Sequence, residues 1–433
     1  MQTAISQAAL QIPDTRISEK ILRNCVHCGF CNATCPTYVH LGSELEGPRG
    51  RIYLMKSVLE ERLPLSREVV SHLDHCLSCF SCETTCPSGV RYSHLVDPMR
   101  AKIEREFRRP WKLQLLRWVL TQLLPYPGRF RWALRMARWQ RPFRFLLWGT
   151  PRAMLSLAPA HLPAPSPLEG SVHVAQGVRR ARVALLTGCA QRVLAPHVNE
   201  ATVRYLTRIG CEVVAPPQVQ CCGALVYHMG DHPRSLPHMK HTLAAWWAEM
   251  EQGGLDYIVI NASGCGTVVK DYGHIFRDDP EYRDKAARVS AITVDVTELA
   301  HRLGLPINVK ARVPDPVRVA YHDACSLQHG QKIRSQPREL LRQAGYTVVD
   351  IPQGHLCCGS AGTYNMLQPV LAETLGRDKA RHIAGVQPQV VAMGNIGCME
   401  QIERFSTTPV VHTVELLDWA TGGPEPKALH RDA

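Results

Sequence analysis

Apolar positions recur with a helical period through the first third of the chain and in short β-branched runs after residue 178. The segment ISEKILRN just before Cys25 reads as a helix, and so does GPRGRIYLMKSVLEER from Gly47, where Ile52, Met55 and Leu59 fall at helical spacing. Farther on, Arg131, Arg135 and Arg138 stand at i, i+4, i+7, with Trp132, Met136 and Trp139 on a neighbouring stripe, so this segment is predicted to be an amphipathic helix. Beyond it, ARVALL, LDYIVI, VRVAY and QVVAM are short enough for strands, with helical patterns between them. No run approaches 18 uninterrupted apolar residues, so no membrane-spanning helix is expected.

The second half repeats itself. ARVALLTGCA (181–190), GCEVVAPPQVQCCGA (210–224) and LDYIVINASGCG (255–266) return as VRVAYHDACS (317–326), GYTVVDIPQGHLCCGSAG (345–362) and PQVVAMGNIGCM (388–399). Cys189 and Cys221 are 32 residues apart, as are Cys325 and Cys357. A late echo sets VTELA (296–300) against VELL (414–417). Each copy puts cysteines just after apolar runs, where strands end, which predicts an α/β sandwich with sites at the strand carboxyl ends. Gly223 and Gly359 follow the paired cysteines and allow a turn that aims adjacent thiols at one centre. Four thiols per copy (Cys189, Cys221, Cys222, Cys265; Cys325, Cys357, Cys358, Cys398) suffice for a cluster or a metal, and structural thiols are the alternative. Cys211 aligns with Tyr346 and is expected to be a buried thiol. His322 and His355, beside thiols of the second copy, could tune a cluster or a quinone site, with packing as the plainer reading.

Composition narrows the class. The 433 residues are 45% hydrophobic and 20% charged, as in folded proteins. The first 25 residues lack a basic region followed by an apolar one, so no secretory signal is expected. Seventeen cysteines without an export signal point to metals or redox chemistry in a reducing compartment, not to disulfides. The net charge of +12 is concentrated between Phe107 and Leu168, where eleven basic residues occur without an acidic one. Arginine with tryptophan on an amphipathic helix suits the surface of an anionic membrane, and Arg131, Arg135, Arg138, Trp132 and Trp139 are the candidate contacts. A helix face docking a partner subunit is the equal alternative, whereas nucleic acid is disfavoured because no binding fold accompanies the charge. The Pro/Ala stretch LAPAHLPAPSPLEG (157–170) reads as a linker.

The most specific signal lies in CVHCGFCNATCP (25–36) and CLSCFSCETTCP (76–87), each C-x2-C-x2-C-x3-C-P. Three thiolates at this spacing wrap one face of an iron–sulfur cube, and the fourth, swung away before proline, ligates the other cluster in two-cluster ferredoxins. Cys25, Cys28, Cys31 and Cys86 are thus expected on one [4Fe–4S] cluster, and Cys76, Cys79, Cys82 and Cys35 on the second. Zinc is the alternative, but it favours paired C-x2-C ligands in tetrahedral sites. His27 and His75, beside ligand cysteines, are expected to pack or hydrogen-bond because the thiol count is already complete. Phosphate loops and G-x-G-x-x-G fingerprints are absent, so the chain is not expected to carry its own flavin or nicotinamide site.

The combination resembles the iron–sulfur subunits grouped with heterodisulfide reductase. The strings CVHCGFCNATCPTY, ELEGPRGRIYLMK, CETTCPSGVRY, HLCCGSAGTY and NIGC are most similar to iron–sulfur subunits of glycolate oxidase (glycolate dehydrogenase). The resemblance implies an oxidoreductase complex in which flavoprotein partners oxidise glycolate to glyoxylate. This chain would then carry electrons towards the membrane quinone pool, in the cytoplasm and peripherally on the inner face of the cell membrane. Equivalent subunits of glycerol-3-phosphate or lactate dehydrogenases, a heterodisulfide-type thiol–disulfide reductase, and a zinc-bound scaffold are the other readings. Relatives that build a non-cubane cluster end each Cys–Cys–Gly domain in C-x-x-C, but here the last cysteine would fall at Val268 and Gln401, leaving a four-thiol centre or none.

The expected architecture is α + α/β. An α-helical ferredoxin-type domain spans 1–106, a basic Trp-rich bridge and linker 107–170, and two cysteine-rich repeats 171–310 and 311–433.

Overall fold

The computed structural model describes residues 1–140, 158–159, 161–305 and 317–430. The end of the basic bridge with Trp148, the expected boundary between the repeats and the last three residues lie outside the described residues.

The N-terminal part is helical, as its periodicity predicts: α1 (Gln7–Leu10), α2 (Pro13–Asn24), α3 (Pro36–Leu41), α4 (Pro48–Leu59), α5 (Arg67–Asp74), α6 (Ser81–Thr85) and α7 (Ser93–Glu106). Proline opens α2, α3 and α4 within their first turn, where its missing N–H costs nothing. The cysteines sit at helix boundaries: Cys25 ends α2, Cys35 precedes Pro36 of α3, and Cys86 ends α6. Leu22, Met55, Leu73, Val96 and Ile103 meet in a single core that also contains Cys25, Cys76 and Cys82.

Helices α8 (Trp111–Leu123) and α9 (Pro127–Gln140) follow. Leu120 and Leu124 pack on Met229, Leu225 and Met366, so the bridge lies against both repeats.

Each repeat is built on a parallel sheet. Strands β1 (Val172–His173), β2 (Ala181–Leu186), β3 (Cys211–Val214), β4 (Tyr257–Ile260) and β5 (Thr293–Asp295) are ordered β1-β3-β2-β4-β5, with β1 antiparallel at the edge. Strands β6 (Arg318–Tyr321), β7 (Thr347–Asp350), β8 (Val390–Met393) and β9 (Val410–His412) are ordered β7-β6-β8-β9. Leaving β1 aside, the two orders are the same, which is the structural form of the duplication. Both central strands of each sheet, β2 and β4, then β6 and β8, are almost wholly buried, as strands covered on both faces must be. The late echo marks equivalent helices, Val296–Leu303 and Thr413–Ala420, each opened by a capping box on the strand before it. The thiol-bearing ends of the sheets face each other: Ser263 Oγ lies 2.7 Å from Ser326 Oγ, and Ser263 N–H donates to Gly394 O at 3.0 Å.

Candidate metal centres

All seventeen cysteines are free thiols. Two cavities in the helical domain gather the motif cysteines crosswise. The first is lined by Cys25, Cys28 and Cys31 of one motif and Cys86 of the other, the second by Cys76, Cys79 and Cys82 with Cys35. Cys82, Pro48 and Tyr92 border both, so the cavities are neighbours. The donor chemistry fits iron–sulfur clusters. Eight thiols face two small, mainly apolar hollows without disulfides, and as thiolates their mutual repulsion would call for bound cations. At Cys31, burial and the nearby Cys25 thiol push the thiol up to about 11, so loading a metal there displaces protons.

The second cavity has a buried charge beside it. Arg51, 1% exposed, donates to Thr37 Oγ1 and Glu46 Oε2, each at 3.0 Å, and to His72 O at 2.7 Å, and reaches to 3.8 Å from Cys35 Sγ. Burial pushes the Glu46 carboxyl up, but hydrogen bonds with His75 and His72 and the Arg51 charge outweigh it, holding Glu46 at about 2. His75 is therefore a hydrogen-bonding residue, 3.0 Å from Glu46. His27 lines the first cavity with a buried Nε2 that has no hydrogen-bond partner among the described residues. Sequence reasoning missed Arg51. The available signal was an arginine in line with Met55 and Val58, all three on the buried side of α4.

In each repeat four cysteines converge at the carboxyl ends of the parallel strands. Cys221 Sγ is 3.5 Å from Cys189 Sγ, and Cys325 Sγ is 3.9 Å from Cys357 Sγ. Hydrogen bonds from Cys221 and Cys265 hold the Cys222 thiol well below its usual value, and Cys357 and Cys398 act likewise on Cys358. The expected turns are present: Gly223 and Gly359 take φ of +77° and +86°. Cys211 starts β3, at the opposite strand end from these thiols, and burial pushes it up to about 12, as a structural thiol. His322 lies at the second thiol group, within 4.8 Å of both Cys358 and Cys398. His355 stands outside that group, its carbonyl facing His329 Nε2 at 3.3 Å.

The second thiol group also touches the helical domain. Leu77 and Cys79 share one apolar cluster with Cys357, Tyr364, Ala372 and Leu375.

On the bridge, Trp132, Arg135, Arg138 and Trp139 are exposed, and Trp111, Leu115 and Trp118 continue the exposed apolar surface on α8. Arg131 behaves differently, turning inward to the carbonyls of Pro163 and Arg192. No helix among the described residues is long and apolar enough to cross a membrane.

Comparison with known proteins bears on these sites. Residues 21–90 match a family described as a 4Fe-4S dicluster domain, and residues 183–270 and 319–403 each match the cysteine-rich CCG domain. The chain is 39% identical over 420 residues to the glycolate oxidase iron-sulfur subunit of Escherichia coli (strain K12), covering 97% of this chain and 99% of that protein. It is 30% identical to the probable glycolate oxidase iron-sulfur subunit of Bacillus subtilis (strain 168), over 93% of this chain and 94% of the relative. Lactate utilization protein A of Geobacillus thermodenitrificans (strain NG80-2) matches 51% of this chain, with 90% of its own length, at 30% identity. A crystal structure of a hypothetical protein from Helicobacter pylori shares the fold, with a TM-score of 0.55 over 98% of this chain and 75% of that one, at 11% identity. The cofactors are iron–sulfur clusters, on an α-helical dicluster domain followed by duplicated α/β cysteine-rich domains. With both cluster motifs, both repeats and end-to-end similarity in hand, the chain belongs to the glycolate oxidase iron–sulfur subunit family.

Proposed function

We propose that this chain is the electron-transfer subunit of a glycolate-oxidising complex, taking electrons from a flavoprotein partner and delivering them to quinone at the inner face of the cell membrane. Cys25, Cys28, Cys31 and Cys86 hold one [4Fe–4S] cluster, and Cys76, Cys79, Cys82 and Cys35 hold the other. When bound, such clusters supply one-electron carriers whose potentials follow their burial, charge and hydrogen bonds. The chain's own groups keep the hollows apolar, exclude water, and set Arg51 as a fixed positive charge beside Cys35. The observation that carries this reading is the crosswise convergence of the motifs in two adjoining cavities. The organisation by domain follows the same logic, with 1–106 carrying the clusters, 107–170 the docking surface, and 171–310 and 311–433 the repeats. The exposed tryptophans and arginines of α8 and α9 supply a surface for an anionic membrane, and Arg131 holds that surface to the linker.

Cys31→Ala in the assembled complex tests the reading. Glycolate should still reduce the partner's flavin, iron should fall by about four per chain, and glycolate-dependent quinone reduction should fall at least a hundredfold. Quinone reduction that survives the substitution would refute the relay.

A further inference from the structure

The two repeats match in sequence at an offset of 136 residues at Cys189/Cys325 and again from Cys221/Cys357 onward through the helix after the paired cysteines, and that register exposes a chemical difference between them. His322 occupies the position of Leu186, and Lys379 that of Leu243, the same register pairing Met239 with Leu375 against the equivalent glycines. All four side chains are buried: Leu186 and Leu243 at 1% and 0% exposure, His322 and Lys379 at 1% and 2%. The second repeat thus trades two buried leucines for an imidazole and an ammonium.

Neither polar group is accounted for by protein contacts alone. Among the described residues neither ring nitrogen of His322 has an oxygen or nitrogen partner, and the Cys358 thiol is the group that approaches the ring, although an orphaned buried polar group costs about 1–3 kcal/mol. A ring nitrogen of His322, Cys358 Sγ and Cys398 Sγ all lie within 4.8 Å of one another. Cys358 in turn adjoins Cys357, and Cys357 Sγ is 3.9 Å from Cys325 Sγ, so four thiols and one imidazole form a continuous donor set. Lys379 donates to the Gln353 carbonyl at 3.0 Å and to no carboxylate among the described residues; burial disfavours its charge, and the groups that favour it are Cys358, Cys357, Asp323 and Cys398. A buried ammonium in that position calls for a permanently anionic neighbour.

We propose that the second repeat, and not the first, holds a redox-active iron–sulfur centre with His322 as a nitrogen ligand beside the thiolates of Cys358, Cys398, Cys357 and Cys325. Five donors exceed the four of tetrahedral zinc, which favours a multi-iron centre. The nitrogen donor takes the place of the thiol that Gln401 lacks. Its location suits transfer, because Cys357 packs in the same apolar cluster as Cys79 of the second cavity. A neutral imidazole in place of a thiolate, with Lys379 nearby, lowers the net negative charge and raises the centre's potential relative to an all-thiolate cluster. The first repeat, with leucines at both positions, presents its four thiols without an imidazole or an ammonium at either place.

The inference rests on the iron–sulfur loading of this chain but not on glycolate as the substrate. The test is pulsed EPR for directly coordinated nitrogen, with iron and zinc analysis, on the anaerobically isolated full chain. Wild type should show nitrogen coupling and iron above the roughly eight atoms of two cubanes. His322→Leu, which copies the first repeat, should lose the coupling and the excess iron while keeping both cubane signals. His322→Cys should keep the excess iron without the coupling, which separates ligation from packing. Cubane signals without nitrogen coupling in wild type, or stoichiometric zinc at the site, would overturn this inference and leave the dicluster reading standing. Nitrogen coupling without cubane signals would do the reverse.

Discussion

Tyr364 of the second repeat donates a hydrogen bond from its hydroxyl to the carbonyl oxygen of His75, 3.1 Å away and immediately before Cys76. The bond fixes the second repeat to the loop that carries the thiols of the second cavity, and the Tyr364 ring joins the apolar cluster of Cys79 and Cys357. Tyr364→Phe removes only the hydrogen bond and should cost about 1 kcal/mol in denaturant unfolding. Tyr364→Ala also leaves a cavity and should cost about 3 kcal/mol or more. Equal effects of the two substitutions would mean that the ring contributes nothing to the interface.

Arg51 and Glu46 form a buried pair beside Cys35, with Arg51 1% and Glu46 5% exposed. Removing one partner strands the other, so Arg51→Met should destabilise the protein by about 3–5 kcal/mol. The double variant Arg51→Met, Glu46→Leu should recover part of that loss. Loss of the positive charge disfavours the more negative, reduced state of a cluster, so a redox titration of the single variant should show a lower midpoint for one cluster and an unchanged one for the other. Unshifted midpoints would show that Arg51 serves stability alone.

The parts legible in the sequence were those encoded by short spacing. C-x2-C-x2-C-x3-C-P specifies which thiols meet because proline redirects the fourth, and the recurrence of the same strand and cysteine strings implies two equivalent sheets. Periodicity assigns a residue to a face of a helix but does not name what covers that face. It therefore put Arg131 with Arg135 and Arg138, whereas the linker returns to α9 and takes Arg131 with the Pro163 carbonyl. His322 illustrates the same limit: its meaning depends on Cys398, 76 positions away, and only the pairing of β6 with β8 brings them together.

The two glycines after the paired cysteines have similar left-handed backbones but different neighbours. A Cβ at Gly359 would sit 2.6 Å from the Ala372 carbonyl oxygen, which is backbone of a packed helix. At Gly223 the obstacle at 2.6 Å is the flexible Met239 side chain. Gly223→Ala should thus cost about 1–2 kcal/mol from the left-handed conformation, and Gly359→Ala more, because backbone must move. Chemical denaturation of the two variants, with metal analysis, checks the order; a milder effect at Gly359 would reverse the argument.

His412 should make stability depend on pH. Its Nε2 lies 2.8 Å from the Asn261 carbonyl of the first repeat, and its Nδ1 accepts from Val414 N–H at 3.1 Å, so the neutral ring is held on both sides. Burial pulls its titration down to about 4, below the ordinary value of 6.5. The unfolded chain then binds more protons between these values. The contribution is complete above about pH 6.5 and is lost as pH falls towards 4, at roughly 1.4 kcal/mol per pH unit. His412→Gln should flatten this part of the stability–pH profile relative to wild type; parallel profiles would sink the assignment.

The bridge predicts membrane binding that depends on particular side chains. Trp111 and Trp139 are 68% and 83% exposed, Arg135 and Arg138 are exposed beside them, and Arg131 is occupied within the protein. Near an anionic surface each basic residue contributes about 1 kcal/mol, so Arg135→Ser with Arg138→Ser should weaken partition onto phosphatidylserine-containing vesicles roughly 30-fold. Added salt should reproduce most of that loss, because the interaction is screened within a Debye length of about 10 Å at 0.1 M. Trp132→Ser with Trp139→Ser should weaken binding without changing its salt dependence, since the tryptophans contribute apolar burial. Arg131→Ser should instead lower stability, by freeing the linker carbonyls, with the charge-dependent part of binding retained. Vesicle sedimentation of the assembled complex separates these outcomes. If the paired arginine variant binds vesicles like wild type but sheds its flavoprotein subunits, the surface docks a partner instead of a membrane.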